Sequence, residues 1–97
     1  MIEFSTKVTK YTLSYTSAMR KDLKRGYSMT EFADVISRLA NDEPLEERLQ
    51  DHALSGNWAG HRELHIRPDW LLIYQKKDGL LILELTRTGT HADLLEK

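Results

Sequence analysis

The chain has 97 residues, with 14 Lys and Arg against 15 Asp and Glu, and a formal net charge of −1. It has no cysteine, which removes disulfides, thiolate catalysis and cysteine-type zinc sites. No apolar run nears the roughly 20 residues of a membrane helix. Met1-Ile2-Glu3-Phe4-Ser5 is no basic segment followed by an apolar one, so no secretion signal is read and a cytoplasmic protein is expected. This length reads as one domain over residues 1–97, with one modest core and one site. The charge is unevenly spread. Residues 1–25 carry Lys7, Lys10, Arg20, Lys21, Lys24 and Arg25 against Glu3 and Asp22. Residues 41–51 carry Asp42, Glu43, Glu46, Glu47 and Asp51 against Arg48. A basic end and an acidic belt give either a polarised binding surface or two ordinary solvated faces.

Residues 7–15 are rich in β-branched and aromatic types, and Tyr11, Leu13 and Tyr15 alternate with polar residues, so a first strand is expected there. Thr16 or Ser17 caps a helix that runs to about Arg25 and stops at Gly26. Ser28 or Thr30 starts a second helix. Its Met29, Phe32, Ala33, Ile36, Leu39 and Ala40 recur at three- and four-residue steps, and Pro44 follows its end. The two form a helical hairpin. Irregular chain follows from Leu45 to Ala59, with a helical turn near Glu46 and a tight turn at Ser55-Gly56-Asn57. Three strands are then expected: His61 to Arg67, Trp70 to Lys76 and Leu80 to Thr86. Pro68-Asp69 and Lys77-Asp78-Gly79 join them, and connections this short impose antiparallel pairing. The order β-α-α-β-β-β is an α+β architecture, an antiparallel sheet with the helical hairpin on one face.

Ionisable side chains crowd the last half of this chain. His61 and His65 have the spacing of a helical zinc pair, but on a strand four steps separate them by about 13 Å, too far for one ion, so no metal site and no cofactor are expected. His65 and Asp69 lie near one strand end and in the turn after it. Arg87 ends the last strand, and a loop of Thr88-Gly89-Thr90-His91 follows. Together with His52 these residues hold proton donors, proton acceptors and a fixed cation, as phosphodiester cleavage without a metal requires. The residues also admit structural roles. Asp69 could stabilise its own turn, and Arg87 could pair with Glu84 or the acidic belt. Spacing does not say whether the loop at His91 meets the His65 end. Trp58 and Trp70 read as anchors at the core margin. Arg20, Lys21, Lys24 and Arg25 fit one exposed stripe, either a phosphate-binding surface or a solvated face.

Three segments in this order and spacing carry a resemblance: 51–58 (DHALSGNW), 62–74 (RELHIRPDWLLIY) and 87–94 (RTGTHADL). They resemble the YafQ branch of the RelE/ParE toxin superfamily, over about residues 13–95, with residues 1–8 an unmatched N-terminal extension. The resemblance implies a RelE-like fold and the toxin of a type II toxin–antitoxin system, held by a small DinJ-like antitoxin of ribbon-helix-helix type. It implies a ribosome-dependent endoribonuclease that cuts mRNA in the A site by metal-independent attack of the ribose 2′-OH. The family's catalytic positions fall on His52, His65, Asp69, Arg87 and His91, with His91 the expected general acid. Ribosome and RNA binding is expected from Arg20, Lys21, Lys24, Arg25, Arg62 and Arg67. Operator DNA would be met only through the antitoxin. The chain departs from the pattern at Ala53, where proline is frequent, and at Leu94-Leu95, where some members carry an aromatic residue. The alternative is a catalytically weak module of the same fold that acts through antitoxin binding and operon repression.

Overall fold

The computed structural model describes residues 9–94. The expected N-terminal extension over residues 1–8, the first two residues of the expected first strand, and Leu95 lie outside them. The order is β1 (Thr12–Tyr15), α1 (Ser17–Leu23), α2 (Met29–Ala40), β2 (His52–Ala53), β3 (Arg62–Arg67), β4 (Trp70–Lys77), β5 (Ile82–Gly89) and α3 (His91–Leu94). Two 3₁₀ turns, Glu47–Leu49 and Gly56–Trp58, flank β2.

The helices begin where hydroxyl side chains meet orphan amides. Thr16 Oγ1 accepts the Met19 N–H at 2.9 Å, and Ser28 Oγ accepts the Glu31 N–H at 3.3 Å; such caps contribute about 1 kcal/mol each. Gly26, at φ +92°, takes the left-handed backbone that turns the chain between α1 and α2. The apolar stripe of α2 (Phe32, Val35, Ile36, Leu39 and Ala40) is buried against Leu64, Ile66, Leu72, Tyr74, Leu83 and Leu85 of the sheet. Burying a large aliphatic or aromatic side chain contributes about 1.5–3 kcal/mol, so this helical face supplies most of the core.

The sheet order is β1-β5-β4-β3-β2. Four details differ from the expected antiparallel β-α-α-β-β-β sheet. First, β1 pairs parallel with β5, Tyr15 opposite Leu85; the helical hairpin is long enough to return the chain to the same end. Second, β1 is shorter than expected, because the Tyr11 N–H bonds the Ala40 carbonyl at the end of α2 instead of a strand. Third, the two-residue strand β2 pairs His52 with Glu63; two residues are too few for periodicity to reveal. Fourth, the β4–β5 turn spans residues 78–81, with Leu81 at φ +52°, so β5 starts at Ile82 and runs to Gly89, beyond the expected end at Thr86.

The second face is covered too. Leu54 and Trp58 of the loop before β3, and Leu94 of α3, pack on Leu71 and Ile73. The expected loop at Thr88–His91 is therefore the end of β5 and the start of a helical turn folded back on this face.

Candidate active site

The ladder register assembles the site. Directly opposed residues in a sheet share a face. His52 is opposite Glu63, Glu63 opposite Ile73, and Ile73 opposite Arg87. One rung of the same face further on, His65 is opposite Leu71 and Leu71 opposite Gly89. Strands about 4.8 Å apart put the backbones of His65 and Gly89 about 10 Å from each other. The segment carrying His91 thus meets the His65 end of the sheet.

Glu63 is the centre of this row, and its residue type alone did not mark it in the sequence. Its carboxylate is 4% exposed. His52 Nε2 lies 3.3 Å from Oε1, and His65 Nε2 lies 3.8 Å from Oε2. The other nitrogen of His52 sits 3.1 Å from the Ala53 carbonyl. A carboxylate between two imidazoles orients them and favours the ring that has just taken a proton. Asp69, the carboxylate among the expected catalytic positions, is exposed in the β3–β4 turn and makes no side-chain hydrogen bond or ion pair among the described residues. It stands at the same sheet end, directly before the buried Trp70. The Trp70 indole stacks on Tyr27 and donates to Thr88 Oγ1 at 2.7 Å, which fixes the turn.

Arg87 pairs with neither Glu84 nor the acidic belt. Asp22 of α1 takes it, Oδ2 to Nε at 2.7 Å and Oδ1 to Nη2 at 3.1 Å. Burial alone would push the Asp22 carboxyl up. The Arg87 guanidinium and the Thr88 amide outweigh it and hold the group below the usual carboxylate range. Ala18, Lys21, Asp22, Arg25 and Arg87 line a hollow of about 360 Å³ between α1 and β5. His91 is exposed at the first position of α3. That turn is tied to α1 by Arg25 Nη1 to Asp93 Oδ2 at 3.0 Å, and its N-terminus by Thr90 Oγ1, which accepts the Asp93 N–H.

The expected RNA-binding cations divide. Arg20 and Lys21 on α1, and Lys24 and Arg25 just after it, are exposed, and Lys21 and Arg25 line the hollow with Arg87. Arg62 and Arg67 are turned to the helical side. Arg62 is held by Asp51, whose carboxylate also accepts the Tyr74 hydroxyl, and Arg67 is forked onto Glu31 of α2. Both guanidinium groups are ion-paired here and remain substantially exposed. The roomy hollow on that side, about 560 Å³, sets Asp42, Glu43, Glu46, Glu47 and Asp51 against Arg62 and Lys76, a net negative lining that disfavours a phosphodiester. No cluster of three metal-ligating side chains occurs among the described residues. His61 is set edge-on to Trp58, with its Nδ1 buried and unpaired among the described residues.

Residues 7–96 match the family described as a bacterial toxin of type II toxin–antitoxin systems, YafQ. The chain belongs to the YafQ family. It is 40% identical over 86 residues to the mRNA interferase toxin YafQ of Escherichia coli K12, covering 88% of this chain and 91% of that protein. The E. coli DinJ–YafQ toxin–antitoxin complex contains a chain that is 36% identical and superposes with a TM-score of 0.77, covering 89% of this chain and 98% of that one. A metal-bound toxin from Helicobacter pylori superposes with a TM-score of 0.81 at 35% identity, covering 88% and 99%. The α+β sheet described above is accordingly the RelE-like fold of YafQ toxins. No described helix of this YafQ-family chain is long and apolar enough to cross a membrane.

Proposed function

We propose that this YafQ-family toxin is an mRNA interferase, an endoribonuclease that cuts message in the ribosomal A site by transesterification without a metal. The observation that carries this reading is the row His52–Glu63–His65 lying on the same sheet face and at the same end as Arg87 and His91. His65, steadied by Glu63, takes the proton of the ribose 2′-OH. The O2′–P bond forms as the P–O5′ bond breaks. His91 gives a proton to the departing O5′, leaving a 2′,3′-cyclic phosphate and a 5′-hydroxyl. An imidazole suits both tasks because its unperturbed pKa of about 6.5 lies near neutrality. Arg87 offsets the charge that builds on the phosphoryl oxygens. Asp69, at the rim of the same end, contacts the substrate near the scissile phosphate.

Lys21, Lys24, Arg20 and Arg25 meet ribosomal RNA and message, and this attraction weakens as salt rises. A cognate antitoxin holds the toxin in check. We propose that it is DinJ-like, with a ribbon-helix-helix segment that alone contacts operator DNA, and that both act in the cytoplasm. Primer extension on ribosome-bound message in Mg²⁺ tests the activity, with toxin as purified and with toxin stripped of metal by a chelator that is then removed, because the H. pylori toxin of this fold is metal-bound. New ends at the A-site codon in both arms, ending in cyclic phosphate, support the proposal. Loss of cleavage by the stripped toxin, regained on adding back a transition metal, would overturn the metal-free chemistry. A folded, antitoxin-binding protein that leaves no new ends would be a binding module.

A further inference from the structure

We propose that Asp22 is a positioning residue for cleavage: it grips one side of Arg87 so that the other side of the guanidinium faces the hollow where the scissile phosphodiester lies. The inference rests on the nuclease reading above. Asp22 is 3% exposed on a seven-residue helix whose other buried contact is Met19. A buried carboxylate is expensive unless fully partnered, and an aliphatic side chain would fill the same place. Here every contact of the carboxylate serves one strand end. Oδ2 accepts from Arg87 Nε at 2.7 Å and from the Thr88 amide at 3.1 Å, and Oδ1 accepts from Arg87 Nη2 at 3.1 Å.

That grip is side-on. It uses two of the five guanidinium N–H donors, on Nε and Nη2. The remaining donors on Nη1 and Nη2 form a second, parallel fork, matched to two oxygens of a phosphate. The fork opens beside Lys21 and Arg25, which line the same hollow. The Thr88 contact extends the grip. Thr88 Oγ1 accepts the Trp70 Nε1–H at 2.7 Å and donates to the Leu71 carbonyl at 2.6 Å, so the anchor of Arg87 is continuous with the turn that carries Asp69.

Asp22 adds negative charge next to Arg87, so it does not strengthen attraction for RNA. Its contribution is orientation, which affects the rate of the bound complex and leaves binding to Lys21 and Arg25. The test is single-turnover cleavage of A-site message on programmed ribosomes by wild type, Asp22→Asn, Arg87→Ala and the double variant. Asp22→Asn should cleave roughly 10²-fold more slowly, the scale of a misplacement of about 1 Å, with its half-saturating concentration unchanged. The double variant should be no slower than Arg87→Ala, because Asp22 acts through Arg87. If Asn is not tolerated, Asp22→Ser keeps an acceptor for the Thr88 amide without the carboxylate and carries the same expectations. A wild-type rate in a folded Asp22 variant, or losses that multiply in the double variant, would overturn the positioning role. A wild type that leaves no new ends would instead overturn the nuclease reading beneath it.

Discussion

The two faces of the sheet use the same strands for different ends. On the helical face, alternate residues of β3 and β4, such as Leu64, Ile66, Leu72 and Tyr74, are sealed under α2, and the charges at its margin are paired inward. On the other face, the residues between them, Glu63 and His65, lie beside a thinner cover made by Leu54, Trp58 and Leu94. Strand alternation is thus a division of labour. A one-residue step along β3 moves from Arg62, neutralised by Asp51, to Glu63, shared by two histidines. The lesson concerns charge as well as packing: a cation near the motif is part of the site only if its face is.

The contrast is sharpest for the histidines. His65→Ala and His91→Ala should each lower cleavage by about 10²–10⁴-fold, the usual weight of a general acid or base. Growth arrest should be relieved while the circular dichroism spectrum stays that of the wild type. Continued cleavage by both folded variants would remove the chemistry from this face.

Next in size is the opposite effect on the helical face. Leu72→Ala deletes a side chain with no exposure and should cost about 2–5 kcal/mol of stability, read from denaturant unfolding. Cleavage per folded molecule should stay close to wild type. A tenfold loss of that specific rate without a shift in the unfolding midpoint would break the division between the faces.

Arg62→Ala should act more weakly and on stability alone. Its pair with Asp51 is partly exposed, so the loss should be about 1 kcal/mol or less. Ribosome affinity should not change, whereas Lys21→Ala and Lys24→Ala should each weaken it and flatten its salt dependence. Equal weakening by Arg62→Ala would restore Arg62 to the RNA-binding set.

The smallest effect is one of pH. Hydrogen bonds from Lys10 and then Lys76 hold the Asp42 carboxyl at about 2, below its ordinary 3.8. A carboxylate lowered in the folded state contributes stability that is complete above its unfolded value and disappears as pH falls through the folded one. The melting temperature should therefore decline between pH 3.8 and about 2 with a component from Asp42. Asp42→Asn should reduce that slope and leave neutral-pH cleavage untouched.

Much of this was legible in the chain. The 3.6-residue stripe of α2, the caps at Thr16 and Ser28 and the hairpin turns at 68–69 and 78–79 announced their elements, because each is a local signal. The three segments around His52, His65 and His91 announced the family. What the sequence hid was non-local. The parallel pairing of β1 with β5 depends on where a helical hairpin returns the chain, and β2 is two residues long. The pairing of Arg62 with Asp51 and of Arg67 with Glu31 was hidden because composition does not name partners. The burial of Glu63 and Asp22 was also hidden, because it depends on the strands and helices that fold over each carboxylate. The family pattern named Asp69 among the catalytic positions but did not name Glu63, which the register sets beside His52 and His65.

In the proposed reaction, His65, His91 and Arg87 act together on one sheet face to cut ribosome-bound message. The most direct measurement is primer extension of A-site-programmed ribosomes, kept in Mg²⁺, treated with purified wild type or folded His65→Ala, each stripped of metal beforehand and freed of chelator. The account predicts new ends at the A-site codon with wild type and none above background with the variant. Equal ends from both proteins would contradict it.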